Sequence, residues 1–124
     1  MNRNILLVAL GGMIGCVCRF LVVSFAVRLL QSSFPFGTFA VNLIGCFAIG
    51  AVAGLAERYA WLDQEWRVFL MAGLCGGFTT FSAFAFENLE LLLARDYRTF
   101  AAYSIASFVL CILSVFCGLS MTRP

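Results

Sequence analysis

The sequence predicts an all-α integral membrane protein of four transmembrane helices, and three observations predict it. Hydrophobic residues make up 63% of the 124 positions and charged ones only 11%, with a mean hydropathy of +1.01. Soluble domains average about 45–50% apolar and about 25% charged residues, and a chain this short buries only about 60–70% of its unfolded surface. The apolar excess therefore needs lipid as its solvent. The third observation is periodic: charges and turn residues divide the chain into four apolar runs, each near the roughly 20 residues that cross a bilayer as a helix.

The first span runs from about Asn4 to Leu30, interrupted only by Arg19. It is too long for a signal peptide, and further spans follow it. Pro35 and Gly37 punctuate the turn between Gln31 and Thr38. A second span follows, from about Phe39 to Ala56, and then a short loop whose Tyr59, Trp61 and Trp66 suit the aromatic belt at a membrane interface. The third span, about Val68 to Leu93, and the fourth, about Thr99 to Met121, are separated by Ala94–Arg98. The whole chain reads as one domain.

Four spans place both termini on one side. Arg3, Arg58, Arg67 and Arg123 then face Arg28, Arg95 and Arg98 across the membrane, four against three with Arg19 set aside inside a span. So small an asymmetry barely selects an orientation under the positive-inside rule.

Composition also excludes functions. Histidine is absent and every basic side chain is arginine, so the commonest general base and metal ligand is missing. The near-neutral charge provides no basic surface for nucleic acid. No carboxylate pair or nucleophile with an adjacent base suggests an enzyme. The six cysteines all lie in apolar runs without CxxC spacing, as small apolar packing residues do.

Close helix contacts are expected at Gly11–Gly15 and Gly50–Gly54, whose GxxxG spacing lets backbones approach; either seam serves packing within the chain or between two chains. Arg19 continues the first stripe and either snorkels to an interface or marks a vestibule. Asn42 presents an amide that needs partners inside a bilayer, as interhelical glue or as a functional donor. Tyr103, Ser107 and Ser114 share one face of the fourth span.

The third span contains "GLCGGFTTFSAFAFE", Gly73 to Glu87. Gly76 and Gly77 weaken a helix interior by about 1 kcal/mol each relative to alanine, and Thr79 and Thr80 crowd it. A helix broken near Gly76–Thr80 frees carbonyls, which are tolerated at membrane depth only where protein, ions or water satisfy them. The alternatives are a small-cation site and a simple kink. Phe81 and Phe84 share a face beyond it, either as packing rings or as ring edges whose positive quadrupole end solvates an anion. Glu87 follows on much the same face.

Three stretches in order resemble the Fluc (CrcB) fluoride channels: "GGMIGCVCRF" from Gly11, "PFGTFAVNLIG" from Pro35, and "GLCGGFTTFSAF" from Gly73. The resemblance covers essentially the whole chain. It implies passive, fluoride-specific efflux through an antiparallel, dual-topology homodimer in the bacterial inner membrane. It also implies a structural sodium ion held by the backbone carbonyls of Gly76 and Thr79. By the same resemblance Asn42, Phe81, Phe84, Ser82, Tyr103 and Ser107 line the fluoride pore. Arg19 lies toward the aqueous entrance and Glu87 near the far end. Ala83 and Val109 depart from the family pattern, where many members carry threonine and some carry serine. A proton-coupled small multidrug exporter is the alternative reading, but such exporters share a first-helix glutamate, and this chain has Arg19 and no acid there.

Overall fold

A computed structural model describes the whole chain, Met1–Pro124, as helices joined by short turns. Helix α1 is Asn2–Leu29 and α2 is Phe36–Arg58. The third span, Gln64–Leu93, is composite. It begins with α3, Gln64–Arg67, and widens into π-helical turns over Val68–Cys75. It then narrows to α4, Gly76–Phe78, and after two extended residues continues as α5, Phe81–Leu93. Helix α6 is Tyr97–Thr122. All four spans are long and apolar enough to cross a membrane. The shortest of them, α2, is about 34 Å long at 1.5 Å per residue, against a hydrocarbon core of about 30 Å.

Helix starts follow local chemistry. Asp63 accepts from the N–H groups of Glu65 and Trp66 at 3.0 and 3.2 Å and so starts α3. Asp96 accepts from Thr99 N–H at 3.2 Å and starts α6; its bonds with Thr99, side chain first and backbone second, hold its carboxyl below the usual range. Between α5 and α6 the chain reverses at Arg95, which has φ 58°. Bonds from Arg95 N–H to Leu92 O and from Asp96 N–H to Leu91 O close that helix end, at 3.1 and 2.9 Å.

Both termini lie on one side. Arg3 pairs with Glu65 at 2.9 Å and Arg123 with Glu57 at 2.8 Å, tying the two chain ends to α3 and to the end of α2. Tyr59, Trp61 and Trp66 cluster beside these pairs, with Trp61 edge-on to Trp66 at 6.5 Å.

Few large side chains are buried: Val41, Leu62, Leu91 and Tyr103 among them, whereas Phe20, Phe25, Phe108 and Phe116 are exposed. Two glycine seams take the place of a large apolar core. Gly11 and Gly15 of α1 lie against the first half of the third span. A Cβ on Gly11 would come 2.5 Å from Phe69 O, and one on Gly77 the same distance from Gly12 O. On the other side, Gly50 and Gly54 of α2 press on Val115 and Thr122 of α6, while Gly118 presses back on Phe47. Both GxxxG motifs are thus used inside the chain, and neither is left over as a contact between chains.

Candidate functional site

Between α2, the two halves of the third span and α6 lies a groove of about 550 Å³. It brings together Asn42, Gly76, Thr79, Phe81, Phe84 and Ser107. The groove is centred on the discontinuity in the third span. Thr79 and Thr80 have extended backbones, at φ −84°, ψ 159° and φ −153°, ψ 120°.

The glycine pair does not make this discontinuity. Gly76 is helical, at φ −63° and ψ −39°, and helix continues through Gly77 and Phe78. Gly77 lacks a Cβ because the α1 backbone occupies that space. The interruption lies two residues further on and is held by Asn42. The Asn42 Nδ2 donates to Thr80 O at 3.0 Å, and Thr80 N–H donates to Asn42 Oδ1 at 2.7 Å. One amide thereby replaces both helical partners of Thr80 (a net of about 0.5–1.5 kcal/mol per bond).

Two carbonyls lose their ordinary partners as a result. In a continuous helix, Gly76 O would accept from Thr80 N–H and Thr79 O from Ala83 N–H. Thr80 N–H is instead given to Asn42, and Ala83 N–H is given to Thr80 Oγ1 at 3.2 Å, the cap that restarts the helix as α5. Thr79 turns its own hydroxyl back to Cys75 O at 2.9 Å. Its methyl lies against Gly45, where a Cβ would overlap it.

Beyond the break, Phe81 is 78% exposed. Phe84 lies between Phe81 and Tyr103, with centroids 5.5 and 5.0 Å away, and meets Tyr103 edge to face. Tyr103 is fully buried, while Ser107, one turn along α6, is nearly so and has an Oγ without a hydrogen-bond partner. A buried hydroxyl without a partner costs about 1–3 kcal/mol.

A second cavity, about 320 Å³, opens at the turn between α1 and α2 and is lined by Phe34, Thr38 and Glu87 among others. Here Glu87 accepts from Thr38 Oγ1 through one carboxylate oxygen and from Tyr103 Oη at 2.7 Å through the other. Tyr103 joins the two regions, since its ring packs on Phe84 and on Phe34 while its hydroxyl reaches Glu87. Ser82 is exposed, with its hydroxyl 3.2 Å from Thr80 Oγ1, outside the groove lining. Arg19 lies apart on α1, where its guanidinium contacts Cys16 Sγ at 3.6 Å.

Asn88 and Ser104 escaped the sequence reading. Asn88 is buried, donates to Phe84 O at 3.1 Å and accepts from Ser104 Oγ at 3.1 Å, joining α5 to α6. An amide inside an apolar run was the available signal, the same one that singled out Asn42.

Fold and site together define a small multi-pass membrane protein with a groove set between its helices. The chain belongs to the CrcB family, described as CrcB-like protein, Camphor Resistance, whose model matches residues 6–119. It is similar to the fluoride-specific ion channel FluC of Azobacteroides pseudotrichonymphae, 43% identical over 123 residues and covering 99% of this chain and 98% of that one. The channel of the same name from Caulobacter vibrioides is 44% identical over 124 residues, covering 99% and 97%. That from Phocaeicola vulgatus is 44% identical over 121, covering 98% and 99%.

Proposed function

We propose that this chain is a subunit of a fluoride-specific channel that lowers cytoplasmic fluoride by passive efflux. Its near full-length similarity to proteins of that name supports the substrate. The observation that carries the reading is the unpartnered Ser107 hydroxyl in a groove that also holds Asn42, Phe81 and Phe84. Fluoride must exchange a tightly held water shell for donors of this kind. Ser107 has a donor to give, and Asn42 keeps one N–H beyond its bond to Thr80. The edges of Phe81 and Phe84 supply weak positive potential without the tight binding a guanidinium would bring. Ser82 adds a hydroxyl to the track, the Tyr103 ring continues it from Phe84, Glu87 marks its far end and Arg19 its aqueous approach.

A single chain leaves Phe81 open, which favours a second copy completing the path. The four-to-three arginine balance favours an antiparallel, dual-topology homodimer. In that assembly the carbonyls of Gly76 and Thr79 are the ligands of a structural sodium ion. The donor set fits the ion, since these are hard oxygens whose helical N–H partners are diverted elsewhere. A bound cation there neutralises converging carbonyl dipoles and holds the subunits in register; the path for fluoride runs along side chains.

Liposomes loaded with fluoride test the function. Rapid efflux without an imposed proton gradient is expected, whereas proton-dependent release of a cationic dye with no fluoride flux would refute it. In sodium-free medium the flux should decline slowly and return on adding sodium. Thr79→Pro should abolish this recovery while Thr79→Ala preserves it, because the ligand is backbone. Flux indifferent to sodium would remove the ion from the proposal.

A further inference from the structure

Two cysteines prolong the polar faces of the groove. Cys46 lies four residues beyond Asn42 on α2, and Cys111 four beyond Ser107 on α6, so each is one helical turn along the same stripe. Both line the groove. They lie at one level across the α2–α6 interface, since Gly50 and Val115, one turn beyond each of them, are in direct contact. The backbones that carry them are held rigidly, because Gly50 and Gly118 bring α2 and α6 into direct contact just beyond this level. Cys75 lines the same groove, but the thiols do not gather into a cluster of three ligands. Cys16, Cys18 and Cys117 are exposed on the outer faces of α1 and α6.

Two convergent thiols without a third donor suit one class of ion. Soft thiolate ligands select monovalent copper and its congeners, and such filled-shell cations accept two nearly linear sulfurs. Four-ligand zinc sites need more donors than this chain assembles. Charge also favours the monovalent ion. As two metal–sulfur bonds form, one thiol proton leaves to water, and the resulting cation, thiolate and thiol sum to zero. A neutral product avoids the cost of leaving a net charge inside the membrane.

The geometry points to Cys46 and Cys111 as a two-coordinate site for a soft monovalent cation, silver(I) or copper(I), one turn along the groove from Asn42 and Ser107. An ion held there stands one turn from Asn42 and Ser107 and blocks the path they line. The blocking half of this inference rests on the fluoride-channel reading; the binding half does not.

The test uses the full-length protein in detergent, in nitrate salts so that silver stays dissolved. Cys16, Cys18 and Cys117 are replaced by serine to remove the outer thiols. Silver titration should find one tight site per chain, releasing one proton and therefore tightening about tenfold per pH unit. Cys46→Ser and Cys111→Ser should each weaken binding by about 100-fold or more, and Cys75→Ser by less than about tenfold. Cys46→Ala and Cys111→Ala serve where a serine variant does not elute as a folded species. Equal affinity in the parent and in either folded variant would overturn the site, as would binding without proton release. In liposomes, silver should stop fluoride efflux in the parent, and excess dithiothreitol should restore it. Tight, cysteine-dependent silver binding in a protein that passes no fluoride would refute the channel reading and leave the site standing. Fluoride efflux unaffected by saturating silver would refute the block.

Discussion

The two halves of the third span solve the same problem by opposite means. Before the break, the π-helical turns and α4 lie on α1 through backbone alone. Gly11, Gly15, Gly73 and Gly77 remove the side chains between them, and the side-chain bond joining α1 to this half, Arg3 to Glu65, lies at its outer end. After the break, α5 is tied to α2 and α6 by polar side chains: Asn42 to Thr80, Thr38 and Tyr103 to Glu87, and Ser104 to Asn88. In lipid no hydrophobic force draws helices together, so close van der Waals contact or hydrogen bonding must do so. The first half relies on contact through the membrane. The second stands further from its neighbours, and the groove lies in the space this leaves.

The largest effect should come from filling the glycine seam. Gly77→Val places atoms where the Gly12 backbone runs, so the folded protein should disappear from size-exclusion profiles. Gly12→Ala, whose nearest neighbour would be 4.0 Å away, should elute normally. Equal tolerance of both would mean that α1 and α4 are not in backbone contact.

Next in size are the aromatic rings on the polar side. Phe81→Ile or Phe84→Ile keeps apolar bulk but removes the polarised edge. Each should nearly abolish fluoride efflux from liposomes while the protein elutes as before. Unchanged transport in both would return these rings to packing.

A smaller effect is expected at the clamp between the halves. Asn42→Ala leaves Thr80 N–H and O without their partner, at about 1–3 kcal/mol for each unsatisfied group. Its thermal midpoint should fall well below that of Ser82→Ala, whose hydroxyl is exposed. A midpoint equal to that of Ser82→Ala would show that the break holds without Asn42.

The smallest effect belongs to Asn88 and Ser104. A double-mutant cycle with Asn88→Ala and Ser104→Ala should give a coupling of about 0.6 kcal/mol, the average for such bonds in membranes. Strict additivity would show that their 3.1 Å contact contributes nothing.

Hydropathy alone located four spans, because the bilayer demands about 20 apolar residues per crossing whatever packs beside them. Helix ends extend past the apolar runs where caps such as Asp63 and Asp96 set them. The sequence also marked Asn42 as an amide needing partners in lipid, since its solvation cost is visible in one residue, and it placed Tyr103 and Ser107 on one helix face. Which partner met that need was not legible. That Gly77 serves a seam while Asn42 opens the helix two residues beyond it depends on which backbones meet, and residues far apart in the chain decide that. The same holds for Cys46 and Cys111, unremarkable in their own helices and adjacent only because Gly50 and Gly118 let α2 and α6 touch. Solvent preference is a property of a segment, readable from composition; a hydrogen-bond partner or a shared groove is a property of pairs, and pairing exists only once the helices have packed.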